Sequence, residues 1–381
     1  MKNIVFLVLA SIIAASCQQS VDERHFHANV QTINLDSLPK KKISINKHQY
    51  IPLEGGEDVL LTGITELIHH DSVLHVFDRT GKSVCSYNLK NGEIKQIHRI
   101  GAGPGEYVDV WDMDVDKEGN IWLYDISLMK LIKYSNFNEE LSFKEFNIKT
   151  QCMLIGIEDS LNVYLGHVYE KGKLSTWLRS LDLKKNEHIQ LFPNKEKLNL
   201  PYNASTYFFR SKDNLYFYKK HGEYIYKLDS GKAIPFFYLK SEKHPSKEDL
   251  NICQQEKSSF SLYKKNKINE ISGFYETNKY IYICVNTIPA MHVIINKTDG
   301  TISQIEFDMN SELNGHLKVV GATEQYFIGY YQPIEKTLEL LKSKQENVLG
   351  KDHVDKLTEE ANPILLMFNF QENDNNNDVK E

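Results

Sequence analysis

The chain has 381 residues, with 45 Lys and Arg against 51 Asp and Glu, a formal net charge of −6 at pH 7. That balance leaves no cationic excess to hold nucleic acid, which is excluded as a partner, and no basic patch for an anionic lipid surface. The length suits one large β architecture or two ordinary domains, and 21 Tyr and 18 Phe set in short alternating runs favour the first.

Taken in chain order, the first element is a leader. Lys2 precedes an apolar run from Ile4 to Ile13, which has the length of a secretory signal core and is too short to cross a bilayer as a helix. The run ends in AASC, Ala14 to Cys17, which resembles a bacterial lipobox, with Ala14 standing where a larger aliphatic residue is usual. Residues 1–16 therefore read as a lipoprotein signal peptide, Cys17 as the lipid-attachment residue and 17–32 as a tether. The membrane becomes a partner through the N-terminal lipid, and several acyl chains on one terminus meet the need for more than one lipid in stable anchoring.

Beyond the tether a short apolar run recurs: VLHVFD from Val73, NIWLYD from Asn120, LNVYLG from Leu161, NLYFYK from Asn214, YIYICV from Tyr280 and QYFIGY from Gln325. Most of these runs follow a turn signal and precede a second strand, at a spacing of about 40 to 65 residues, the period of propeller blades. A four-stranded blade cannot bury both faces alone, so the blades must stack into a ring. The expected fold is all-β: a six-bladed β-propeller over 33–373 with short helical insertions, and a polar tail over 374–381. The stretch around Tyr50 to Leu53 is expected to pair with Ile364 to Phe370, closing the ring and protecting its last edge. Helical signals lie at Ser246 to Glu256 and in PIEKTLELLKSK, where Ile334, Leu338 and Leu341 fall on one stripe expected to face the ring.

The most distinctive stretch is RIGAGPGEY, Arg99 to Tyr107. Gly101, Gly103 and Gly105 all tolerate positive φ and Pro104 presets φ near −65°, so the run reads as a structural turn between blades. A phosphate loop needs Lys-Ser or Lys-Thr after its last glycine, and Glu106 and Tyr107 stand there instead. A weaker ligand-binding role falls to Arg99, Glu106 and Tyr107, presented at one mouth of the ring, with a mutual Arg99–Glu106 pair as the structural alternative.

Other candidates carry less. His69 and His70 are neighbours on a strand and point to opposite faces, which disfavours a shared metal. Asp109, Asp112, Asp114 and Asp116 crowd one segment but lack the spacing of a calcium loop, and read as Met113 and Val115 facing inward with Asp114 and Asp116 facing water. Cys85, Cys152, Cys253 and Cys284 are far apart, without CxxC or His-paired spacing; one bridge is compatible with an oxidising compartment, and Cys284 reads as a small core residue. Neither GxSxG nor HExxH occurs, so no catalytic residue, metal or cofactor is assigned.

The order of leader, lipobox cysteine, first blade, RIGAGPGEY and a strand ending in NIWLYD resembles the six-bladed β-propeller lipoproteins common in Gram-negative gut bacteria, related in shape to NHL and TolB-like propellers. The resemblance runs from about Ile33 to Phe370, with GxGPGEY its most specific piece. It implies an architecture and a cell-envelope location, and no catalytic residues. The expected function is a lipid-anchored envelope binding module for a glycan, a peptide or a partner protein. The alternatives are a funnel enzyme of lyase or lactonase type, or a structural subunit of an envelope assembly.

Overall fold

Strands that are apolar on both faces must be covered on both sides, and that requirement organises this molecule. The computed structural model describes residues 30–53, 61–195, 197–198, 207–212, 214–307, 318–343, 348–349, 357–359 and 361–372. Cys17, the leader and the expected tail from 374 lie outside the described residues.

Two strands near the N-terminus, β1 (Gln31–Asn34) and β2 (Lys40–Pro52), precede a series of antiparallel meanders. The first is β3 (Glu66–His70), β4 (Val73–Asp78), β5 (Ser83–Asn88) and β6 (Ile94–Ile97); the second is β7 (Val110–Val115), β8 (Ile121–Asp125), β9 (Lys130–Tyr134) and β10 (Phe143–Asn147). The third is β11 (Leu154–Ile157), β12 (Asn162–Glu170), β13 (Lys173–Asp182) and β14 (Glu187–Pro193). The fourth is β15 (Phe208–Ser211), β16 (Asn214–Tyr218), β17 (Tyr224–Asp229) and β18 (Lys232–Lys240), with β1 added in parallel on the edge of β18.

After helices α1 (Lys247–Glu256) and α2 (Phe260–Lys264) come β19 (Glu270–Glu276), β20 (Tyr280–Asn286), β21 (Met291–Asn296) and β22 (Ile302–Phe307). The chain ends with β23 (Lys318–Ala322), β24 (Phe327–Tyr331), helix α3 (Glu335–Ser343) and β25 (Ile364–Glu372). These last seven strands and β2 form one eight-stranded sheet in the order β19-β20-β21-β22-β2-β25-β24-β23. Its cause is β2, which is long enough to serve two partners. Lys40 to Ile43 run parallel to Gln304 to Phe307, while Ile43 to Pro52 run antiparallel to Glu372 to Ile364. The expected pairing of Tyr50 with the C-terminal run is therefore present, with Tyr50 opposite Leu366 and Ile51 opposite Leu365.

The first strand of each meander touches the next, β3 to β7, β7 to β11, β11 to β15, β15 to β19 and β19 to β23, and β23 returns to β3. Side chains fill the wedges between successive sheets. Trp122, Tyr124 and Leu131 pack against Ile155, Val163 and Leu165 of the next sheet, whereas Ile121, Leu123 and Ile132 of the same strands pack back on Phe77, Val84 and Ile97. The architecture is all-β and propeller-like, with first strands around a common axis.

The helices follow local chemistry. Ser246 caps α1 and forms a reciprocal capping box with Asp249, whose carboxyl the Lys265 ammonium hydrogen-bonds and holds down at about 2. In α3, Leu338 and Leu341 are buried as expected, but Ile334 lies before the helix and is 46% exposed, so the packing stripe is shorter than the pattern suggested. Cys85, Cys152 and Cys253 are buried free thiols and Cys284 is half-buried.

Candidate functional site

The glycine corner joins β6 to β7. Tyr107 N–H donates to the Arg99 carbonyl at 3.0 Å and Gly101 N–H to the Tyr107 carbonyl at 2.9 Å, which folds the run back on itself. Of its three glycines only Gly105 has left-handed backbone, with φ +66°, and a Cβ there would lie 2.6 Å from the Phe143 ring. Gly101 and Gly103 are small for another reason: the Glu106 carboxylate folds over them and accepts the Gly103 N–H at 2.8 Å. Pro104 sits exposed at the tip.

Tyr107 is fully buried and donates its hydroxyl to the Lys82 carbonyl at 2.8 Å, so it is enclosed by the corner rather than displayed by it. Arg99 lies over the Phe143 ring at 5.7 Å while Glu106 serves the backbone. Gly105→Val is accordingly expected to lose about 3 kcal/mol of stability from strain and overpacking together, and Glu106→Gln less than about 1 kcal/mol. Urea unfolding of the two variants checks the order, and equal losses would contradict it.

At the far end of the same first strands, the turns into the second strands border a cavity of about 620 Å³. His70 and Asp71 come from the β3–β4 turn, Lys117 from β7–β8, Lys212 from β15–β16, Asn278 from β19–β20 and Glu324 to Tyr326 from β23–β24. The turns are built locally. Asp71 and Lys212 take left-handed backbone, and the Thr323 hydroxyl accepts the N–H groups of Gln325 and Tyr326 at 3.2 and 2.9 Å.

The charges of this mouth are largely matched. Lys212 meets Glu324 at 2.8 Å across the intervening β19–β20 turn, and Lys297 meets Glu276 at 2.6 Å. The hydrogen bond from Lys212 holds the Glu324 carboxyl below its usual range. Burial lowers the His69 imidazole, which together with His70 borders the cavity. The Tyr326 ring stacks on His48 with centroids 4.2 Å apart and planes within 9°.

Along the first strands, away from the mouth, lies a column of charge that the sequence did not announce. A strand rises about 3.3 Å per residue, so Glu66 sits about 13 Å along β3 from His70. On β7, Asp112 and Asp114 reach across to β11 and accept the N–H groups of Ile155 and Ile157 at 2.7 and 2.6 Å. They thereby satisfy edge donors that the ring leaves without a strand partner. Asp114 also takes Arg210 in a two-pronged pair, both bonds at 2.7 Å. Asp114 and Asp116 were expected to face water; both are buried, and Asp116 instead accepts the Trp122 indole N–H at 2.8 Å and pairs with Lys133 at 3.0 Å. Burial pushes the Asp112 carboxyl up to about 7, and burial with the nearby Asp112 and Asp114 charges pushes Glu66 well above its usual value.

A chain of four-stranded meanders set around one axis, with a polar mouth at one end, defines a propeller-like protein of the all-β class. The chain belongs to the DUF4934 family, a domain of unknown function, which matches residues 28–369. No curated protein matches it. Among solved structures it is similar to BF0058 of Bacteroides fragilis NCTC 9343, named as a candidate exported protein, at 18% identity and a TM-score of 0.68 over 90% of this chain and 99% of that one. A structural genomics protein of unknown function from Bacteroides thetaiotaomicron VPI-5482 aligns at 9% identity and a TM-score of 0.46, over 86% of this chain and 76% of that one. Virginiamycin B lyase from Staphylococcus aureus aligns at 8% identity and 0.41, over 88% and 97%. The first of these likenesses bears on the fold alone.

Proposed function

We propose that this protein is an exported, lipid-anchored, six-bladed β-propeller whose mouth binds a glycan. Six blades are supported by six meanders, four in separate sheets and two sharing β2, and by the cycle of contacts among their first strands. Export is supported by the leader and by the likeness to BF0058; Cys17 is the proposed lipid site.

The observation that carries the glycan reading is the mouth itself: a cavity of about 620 Å³ in which lysines are matched by carboxylates, beside the amides of Asn214, Asn278 and Gln325. Matched charges leave little net field for a charged ligand, while carboxylates and amides supply the acceptors and donors that sugar hydroxyls need. Tyr326, steadied by His48, adds an aromatic surface at the rim.

Calorimetric titration with a panel of neutral oligosaccharides tests this. At least one sugar should bind the wild-type protein, and Tyr326→Ala should weaken it by about tenfold, the worth of one aromatic stacking contact. A panel that does not bind, or binding indifferent to Tyr326→Ala and Asn278→Ala, would overturn the reading.

A further inference from the structure

The end of the ring opposite the mouth carries the turns from second to third strands and the links from each fourth strand to the next first strand. Helices α1 and α2 occupy one such link, between β18 and β19. The overall charge of −6 conceals a local reversal there, because Lys240 to Lys267 holds seven lysines and four carboxylates. Lys265 closes on Asp249 at 2.6 Å, whereas Lys243, Lys247, Lys257 and Lys264 stand outside every ion pair among the described residues. The two most exposed large apolar side chains among the described residues sit at this end as well: Phe260 at the start of α2, 59% exposed, and Ile288 in the β20–β21 turn, 57% exposed. Apolar side chains scattered singly over a surface are ordinary, but two at one end among lysines mark a contact face.

The helical insert and the β20–β21 turn form one surface. A cavity of about 490 Å³ is walled by Lys243 before α1, by Asn266 just past α2 and by Ile288 and Pro289 of the turn. Asp36 also borders it, with both carboxylate oxygens engaged at 2.7 Å by the Ser241 hydroxyl and the Glu242 N–H. Tyr263 of α2 ties the two parts together, its hydroxyl accepting the Asn286 side-chain amide at 3.3 Å. Leu262 is the fully buried residue that fixes α2, so Phe260 is not needed for its packing. The Lys264 ammonium lies 4.8 Å from the centre of the Phe260 ring. Ring and ammonium together have an apolar body and a charged tip, the form that seats in a headgroup layer.

We propose that this end of the ring docks on an anionic phospholipid bilayer, with Phe260 and Ile288 entering the headgroup layer and the four unpaired lysines meeting its phosphates. Two observations favour a bilayer over a protein partner. Every permanent cation from Lys240 to Lys267 is a lysine, the residue that protein interfaces deplete in favour of arginine and that a diffuse anionic surface attracts. The insert also leaves the blade on which β1, the first described strand, is paired. The chain from Cys17 to Val30 spans about 50 Å at most, so the proposed lipid would keep this side of the ring near the bilayer. Docking itself does not require that lipid. In this orientation the mouth faces away from the membrane, whatever it binds.

The test uses the full chain carrying Cys17→Ser, so that no acyl chain contributes, and sedimentation with two kinds of vesicle. One is pure phosphatidylcholine, which reports whatever the leader adds; the other is equal parts phosphatidylcholine and phosphatidylglycerol. Binding should be tighter to the anionic vesicles, and Lys257→Gln with Lys264→Gln should weaken it by about 25-fold, about fivefold for each charge at such a surface. Lys90→Gln with Lys184→Gln removes the same charge from exposed turns at the mouth end and should change nothing. Phe260→Trp should shift its emission to shorter wavelength on the anionic vesicles and be quenched by brominated lipid, against a steady background from the buried Trp122 and Trp177. Equal binding to both vesicles, equal losses in the two lysine pairs, or a Phe260→Trp emission that does not move while the protein is bound would each overturn the proposal.

Discussion

Asp114→Ala is expected to lower the unfolding free energy by about 3–5 kcal/mol, the usual cost of removing one partner from a buried ion pair. The side chains of Asp114 and Arg210 are 4% and 5% exposed, so the guanidinium would be left charged and dry. The Ile157 N–H, which Asp114 accepts at 2.6 Å, would lose its partner as well. Arg210→Met combined with Asp114→Ala should recover much of the loss, because a hydrophobic replacement removes the stranded charge along with the attraction. Glu324→Ala provides the contrast. It breaks the Lys212–Glu324 pair, whose side chains are 64% and 47% exposed, and exposed pairs are worth less than about 1 kcal/mol. Urea denaturation of the four proteins measures all of this. A loss below about 1 kcal/mol for Asp114→Ala would show that the column contributes little to holding the second, third and fourth sheets together.

Ending the chain before Asn362 is expected to abolish cooperative unfolding. The truncation removes β25, which lies between β24 and β2 and pairs with both. Two edges would open at once, and β2 would keep its parallel contact from Lys40 to Ile43 with β22 and a single bridge from Tyr50 to Val348. Leu365 and Met367 would vanish from the wedge against Leu74, Val76 and Cys85, and Leu366 and Phe368 from the wedge against Tyr282 and Ile294. Both interfaces that close the ring would therefore lose their centres. Thermal melts followed by near-ultraviolet circular dichroism check this, and a peptide covering Asn362 to Glu381, added in trans, should restore a sharp transition. A truncated protein that melts as sharply as the whole chain would show that closure lies elsewhere.

The legible part of the fold lay in the second strands. VLHVFD, NIWLYD, LNVYLG, NLYFYK, YIYICV and QYFIGY fall on β4, β8, β12, β16, β20 and β24, the second strand of every meander. Such a strand has a sheet neighbour on either side and another sheet against each face, so nearly every residue is apolar; Val73 to Asp78 is buried throughout. Outer strands carry no such mark, and β10, FKEFN, is mostly exposed. The start of α1 was legible because a capping box is written in four adjacent residues, Ser246 to Asp249.

Local sequence also marked the glycine corner as a turn, through residues that only permit one. The reasons for each glycine came from elsewhere: Phe143 presses on Gly105 from another strand, and Glu106 folds back on Gly101 and Gly103. The mouth is assembled from turns scattered between His69 and Tyr326, none distinctive alone. The charged column was misread because an aspartate beside apolar residues on a strand is ordinarily taken to face water. What buries Asp114 is Arg210, 96 residues away, together with edge N–H groups on β11 that exist only once the sheets stand around an axis. Periodicity and capping are properties of neighbours in the chain, and these the sequence by itself determined. Ring closure through β2, the matched mouth and the buried carboxyls of the column depend on which distant groups share a dry space, and that only the tertiary structure decided.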